Sequence, residues 1–239
     1  MSAPEKIGAF FDLDGTLLRK PSLEWRFLAH LLERDEIRTA NVARWLAHAA
    51  TTILFAPRCA THANKHYLAG ISESAVSEWA DAFAAEALPA FVQALARMEW
   101  HVERGHQIFL VTGTLAPLAR AFARRLPCDA AISATEIEVR DRYFTGRLAG
   151  PHMDCGAKSN AVREWACARG LDLTQSYAYG NQMSDAPMLG AVGKPAAANP
   201  SWRLARMARK RGWTICRWSD PGTTQGIAAH PALAPKAAR

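Results

Sequence analysis

The apolar run Ile7 to Phe11 breaks off on two carboxylates one residue apart, Asp12 and Asp14, with Gly15 and Thr16 directly behind them. A short apolar run of this composition reads as a buried strand. Two acids at the end of such a strand repel one another and resist desolvation. A bound cation relieves both penalties, and hard carboxylate oxygens suit Mg²⁺. Gly15 and Thr16 add a flexible turn with exposed amides and a hydroxyl, which fit the oxygens of a phosphate. Taken alone, an Asp-x-Asp pair also reads as a solvated turn, so the rest of the chain has to decide.

A chain of 239 residues, 49% hydrophobic and 21% charged, has enough material for one large core, or one core and a smaller domain. The net charge of +7 favours anionic ligands without naming one, and part of it sits in the terminal tail. No apolar export segment precedes the first strand, and no uninterrupted apolar stretch approaches the ~18 residues of a membrane span. The five cysteines, Cys59, Cys128, Cys155, Cys167 and Cys216, are dispersed with no C-x-x-C pair. That distribution speaks against a zinc site and a disulfide framework. The expectation is a cytoplasmic protein without a membrane span.

Between residues 21 and 88 only helical patterns occur. Leu23, Phe27, Leu28, Leu31 and Leu32 fall near one stripe of a first helix. A second is predicted over 36–55, a third over 58–69 closed by Gly70, and a fourth capped by Ser72 with Val76, Trp79, Ala80 and Phe83 on one face. This block reads as a small helical bundle, with Trp25, Trp45 and Trp79 as core residues rather than a binding platform. A helix over 89–103, stopped at Gly105, leads to a second buried strand, 107–114. There follow a helix (116–126), a small-residue strand (130–134) and a hairpin (136–148) turning at Asp141-Arg142. The remainder alternates helix (155–169), strand (176–179), short helix (186–192), strand (195–198), basic helix (200–211) and strand (213–218). The tail, 219–239, is basic, rich in Pro and Ala, and predicted disordered.

Alternating strands and helices predict an α/β fold with a mostly parallel sheet between two helical layers, and ligands beyond the carboxyl ends of its strands. Three predicted strand ends carry polar groups: Asp12/Asp14, Thr112/Gly113/Thr114 and Asn181/Asp185. Lys158 starts a helix that can aim into the same crevice. This set supports phosphoryl chemistry. One carboxylate attacks phosphorus and a second moves the proton of the leaving oxygen. A hydroxyl and an ammonium match the spreading charge, and a further carboxylate completes a metal shell or anchors the lysine.

Phe11-Asp12-Leu13-Asp14-Gly15-Thr16-Leu17 resembles the nucleophile motif of the haloacid dehalogenase superfamily. Leu110-Val111-Thr112-Gly113 resembles its second motif, Lys158 its third, and the segment from Gly180 through Asp185 to Leu189 its fourth, in the same order. The helical block after the first motif is similar to the cap of the phosphoserine-phosphatase-like branch. The resemblance implies a Rossmann-like core (1–20 and 89–218), a mobile helical cap (21–88), and Mg²⁺-dependent hydrolysis of a small phosphorylated metabolite through an aspartyl-phosphate. By it, Asp12 is nucleophile and metal ligand, and Asp14 is the general acid/base and binds the metal through its backbone carbonyl. Thr112 and Lys158 hold the phosphoryl group, with Gly15, Thr16, Gly113 and Thr114 as substrate-binding positions and Asn181 and Asp185 as further metal positions.

Two departures stand out. The family usually has an acid directly after the glycine of the fourth motif, where this chain has Asn181; an amide oxygen still ligates Mg²⁺ but carries no charge. The alternative reading is therefore a weakened or inactive phosphate-binding protein. The acid that meets the serine amino group in phosphoserine-specific members aligns with Pro21, although Glu24 and Glu33 lie close by. Phosphoserine, histidinol phosphate, nucleotides and phospholipid-derived phosphates all stay open. A metal-dependent transferase holding a nucleotide diphosphate on Asp-x-Asp fits less well, since the three later motifs follow in order. The run Arg203, Arg206, Arg209, Lys210 and Arg211 reads as a solvated helix face, not a nucleic-acid site, and His62 and His66 lack the carboxylate of a metal site.

Overall fold

The computed structural model describes residues 6–55, 64–86 and 88–218. The expected disordered tail and His62 lie outside this range. The strands are β1 (Gly8–Phe11), β2 (Gln107–Leu115), β3 (Ala130–Thr135), β6 (Tyr177–Gly180), β7 (Lys194–Ala198) and β8 (Thr214–Cys216), with a separate hairpin of β4 (Ile137–Arg140) and β5 (Tyr143–Leu148) between β3 and β6. The six form one sheet in the order β3-β2-β1-β6-β7-β8, every pairing parallel. β1 is central, so the residues that follow it emerge in the middle of the sheet's carboxyl edge.

The alternation along each strand assigns the two layers. Ala9, Phe11, Ile108, Leu110 and Tyr179 point to one face; Phe10, Phe109, Val111 and Ala178 point to the other. The first face is covered by α4 (Val92–Glu103) and α5 (Ala116–Ala123), the second by α6 (Cys155–Arg169), α7 (Ala186–Leu189) and α8 (Trp202–Arg211). This is the α/β/α sandwich expected of a sheet buried on both sides. Phe10 stacks on Phe109 with ring centroids 4.7 Å apart, and Phe11 on Tyr179 at 4.6 Å. Each fully buried ring contributes roughly 2–3 kcal/mol of transfer free energy. On α8, Leu204, Ala205 and Ala208 face the sheet and the basic side chains face out.

The helices inserted between β1 and β2 are α1 (Leu23–Glu33), α2 (Thr39–Phe55) and α3 (Glu73–Ala85). Ser22 caps α1 by accepting from the Trp25 amide, and Ser72 caps α3 by accepting from Ala75. Leu23, Phe27, Leu28 and Leu31 are buried, whereas Leu32 is 44% exposed. At ~100° per residue Leu32 lies opposite Leu23 and leaves the stripe. Phe27 meets Phe83 of α3 at 5.5 Å, and these side chains merge with Leu118 and Phe122 of α5 in one core. The chain leaves and returns through a narrow stem, in which Arg19 donates to the Pro89 carbonyl and Phe91 to that of Leu17.

The helix predicted over 58–69 is not found in its described part, which holds only one 3₁₀ turn, His66–Leu68. The reason is competition for backbone groups. Lys65 donates to Gly146, Gly70 to Phe144 and Glu73 to Arg142, while Phe144 donates back to Ile71. The segment is thus laced along β5 and the turn before it, and keeps only short internal bonds such as Leu68 to Lys65 and Ala69 to His66. Gly146, at φ +82°, permits this approach: a Cβ there would stand 2.8 Å from the His66 Cα.

α4 is joined to β6 by a buried histidine. His101 shares a hydrogen bond with the Tyr179 hydroxyl (2.9 Å) and another with His106 (2.7 Å). Burial, reinforced by His106, Arg97 and Arg104, pushes it down from 6.5 to about 3. An unfolded histidine takes up a proton below pH 6.5 that folded His101 refuses until about pH 3, so stability is full above that window and falls as pH drops through it. The slope from this residue is at most about 1.4 kcal/mol per pH unit. Urea midpoints of the native chain should therefore fall faster than those of His101→Gln as pH is lowered from neutrality; parallel curves refute the assignment.

Candidate active site

Asp12 and Asp14 follow β1 directly, and the sheet brings the ends of β2 and β6 beside them. Lys158, four residues into α6, is 3% exposed; its Nζ donates to Asp12 Oδ1 and to Asp185 Oδ1, each at 2.6 Å. Asp185 accepts on its other oxygen from the amides of Asn181 (2.9 Å) and Gln182 (2.8 Å). Of the two tasks open to it from sequence, Asp185 is placed to anchor the lysine, with both oxygens engaged. Gly180 is required here, because a Cβ would stand 2.5 Å from that of Asp185.

Asp14 is held from two sides. Oδ1 accepts from the Leu23 amide, the first of α1, at 2.7 Å, and Oδ2 from the Thr114 hydroxyl at 2.7 Å. Thr114 is in turn met by the Thr112 hydroxyl at 3.1 Å. The second motif therefore orients Asp14 as well as lining the cavity, a task its residue types alone do not reveal. Thr16 donates to Asp12 Oδ2 at 3.1 Å. Gly15, at φ +85°, leaves room for Asn181, whose Nδ2 would lie 2.0 Å from a Cβ there, and Gly113 passes beneath His152.

Burial sets the protonation behaviour. Asp12 is pushed up to about 7 by desolvation, against the pull of the Lys158 ammonium and with the charges of Asp185 and Asp14 adding to it. Asp14 is raised, again chiefly by burial and against the Leu23 amide and Thr114 hydroxyl. Burial opposes the charge on Lys158, but Asp12 and Asp185 overcome it and hold the amine firmly protonated.

The donor set fits a hard divalent cation. Three carboxylates, Asp12, Asp14 and Asp185, face a single ammonium, and Asn181 Oδ1 is buried with no hydrogen-bond partner. No trio of His, Cys, Asp or Glu forms a metal cage among the described residues, so a cation here would also draw on amide and backbone oxygens.

These groups floor a cavity of about 420 Å³ whose other wall comes from the helical insert. Trp25, 54% exposed, and Trp45 stand in it, edge to face at 5.9 Å. For Trp25 this corrects the expectation of a core position; Trp45, although it lines the cavity, packs against the core as Trp79 does. Trp25 points off the buried stripe of α1 because, at ~100° per residue, it lies about 200° around the helix from Leu23. Glu24 is bound by Lys65 Nζ at 2.6 and 2.8 Å and by the Tyr67 hydroxyl at 3.1 Å. Lys65, Tyr67, His152 and Met153 carry no signal in the sequence, since the fold alone assembles them.

The chain matches the model of haloacid dehalogenase-like hydrolases over residues 9–190. Phosphoserine phosphatase SerB1 of Mycobacterium tuberculosis is 42% identical over 117 residues, 49% of this chain and 38% of that protein. Two further mycobacterial relatives, each named a putative hydrolase, are likewise spanned over 38% of their length. The crystal structure of a protein of unknown function from Bordetella pertussis Tohama I has a TM-score of 0.71 at 29% identity, covering 89% of this chain and 98% of that one. A phospho-aspartyl intermediate analogue of a phosphoserine phosphatase shares the fold, with a TM-score of 0.60 at 19% identity over 90% and 94% of the two chains. With the family model spanning most of a sheet that carries the four motifs in order, the chain belongs to the haloacid dehalogenase-like hydrolase family.

Proposed function

We propose that this protein hydrolyses small phosphomonoesters through an aspartyl-phosphate on Asp12. The observation that carries the reading is the buried bridge from Lys158 to Asp12, beside an Asp14 held in place by Leu23 and Thr114. Asp12 attacks phosphorus and forms an acyl phosphate as the ester P–O bond breaks. The departing alkoxide takes its proton from Asp14, whose raised pKa favours the protonated form. Water then attacks the same phosphorus, Asp14 takes the proton back, and Asp12 leaves as a free carboxylate with inorganic phosphate. Lys158 keeps its charge throughout and faces the phosphoryl oxygens from beside Asp12. Mg²⁺ is the cofactor we assign, held by Asp12, Asp14 and Asn181; when bound it supplies charge neutralisation for the phosphoryl group.

Asn181 also favours a second reading, a site that binds phosphate compounds without turning them over. One experiment separates the two: phosphate release from a generic aryl phosphate across a Mg²⁺ titration, for the native chain and Asn181→Asp. The added charge should lower the Mg²⁺ requirement roughly tenfold. Identical requirements place Asn181 outside the metal shell. Turnover in the variant alone supports the binding reading.

A further inference from the structure

Resting on the phosphomonoester reading, we infer that the cavity selects substrates whose alcohol bears an uncharged aromatic or apolar group, not an amino acid. The inference comes from the part of the cavity that the phosphate does not need. Facing Asp12 across it are Trp25, Leu28 and Trp45 of the insert, with Met153 at the side. Two indoles set edge to face, one of them 54% exposed, present ring surface to whatever lies between them and the floor.

A zwitterionic alcohol needs an unmatched anion for its ammonium and an unmatched cation for its carboxylate. Among the described residues the roof has neither. Glu24 is closed off by two contacts from Lys65 and one from Tyr67, and Lys65 itself is 2% exposed. Asn64 is used by the backbone, donating to the Trp45 carbonyl and accepting from the His66 amide. At the rim, Asp154 has its side chain 48% exposed, so water already meets its charge, and His152 lies 3.6 Å away. Bringing phosphoserine in would mean breaking a buried ion pair to solvate its head group, and a buried charge left without its partner is costly. An apolar group breaks nothing and removes ring surface from water. The cavity's volume of about 420 Å³ is in the range of sites for drug-sized ligands.

The test compares phosphomonoesters of similar intrinsic reactivity: phenethyl phosphate, phosphoethanolamine and phosphoserine, each followed by phosphate release with Mg²⁺ present. The phenethyl ester should exceed phosphoserine in kcat/KM by about 100-fold. Trp25→Ala, at an exposed position, should cut that preference about tenfold while leaving inhibition by inorganic phosphate unchanged. Equal or inverted preference overturns the inference, as does a Trp25→Ala loss shared alike by both esters. If no ester is turned over, the phosphatase reading fails, and calorimetry still decides the inference. The native chain should bind phenylpropylphosphonate more tightly than the phosphonate analogue of phosphoserine, and the reverse order overturns it.

Discussion

Replacing Asp12 by Asn should abolish phosphate release, lowering kcat by on the order of 10⁴-fold or more, with little effect on folding. The amide is nearly the size of the carboxylate; its one oxygen can still accept from Lys158, and its NH2 can donate to the Thr16 hydroxyl, which now donates to the carboxylate's other oxygen. What it lacks is a nucleophilic oxygen with a full negative charge. The acid-stable radiolabel that the native chain should acquire from a labelled phosphomonoester should be missing from the variant. A variant retaining a tenth of native turnover would show that Asp12 is not the attacking group.

The second large effect is on stability as much as on rate. Lys158→Met leaves Asp12 and Asp185 buried beside one another with no cation between them. Removing one partner of a buried ion pair costs roughly 3–5 kcal/mol. For a chain of this size that is on the order of a 10 °C fall in melting temperature, measured by calorimetry in chelator. The sign can be checked independently: adding Asp185→Asn to Lys158→Met should restore part of the loss, because one of the two stranded charges is gone. If the double variant is less stable than the single one, Asp185 owes its burial to the Asn181 and Gln182 amides alone. Turnover should drop about 10²- to 10³-fold with Lys158→Met, the scale of losing one fixed charge at a developing oxyanion.

Local periodicity carried most of the sheet and the helices that cover it. Runs such as Gln107–Leu115 and Tyr177–Gly180 are short, apolar and bounded by polar turns, and α6 spans the residues its pattern predicts. The floor of the site was legible for the same reason, since each of its groups sits within a few residues of a strand end or helix start. The roof was not. Lys65 and Glu24 are 41 positions apart, and no local pattern announces a pair that only the packing of the insert creates. Trp25 misled because an aromatic residue in an amphipathic helix resembles core until its angular position is set against Leu23 and Phe27. Residues 64–69 misled differently: pinned to β5 through the Lys65 and Gly70 amides, they close only a 3₁₀ turn between those two anchors.

That lacing has a consequence for how the chain is made. The amides of Lys65, Gly70 and Glu73 find their acceptors at Gly146, Phe144 and Arg142, some 70 to 80 residues downstream. During synthesis at ~5–20 residues per second, the insert's second half leaves the ribosome several seconds before the strand that receives it. β1 waits longer still for its second neighbour, since it pairs with β2 on one side and β6 on the other. The insert is thus made early, directly after β1, yet is completed only when β5 emerges, and over that interval its tryptophans have no finished floor to face.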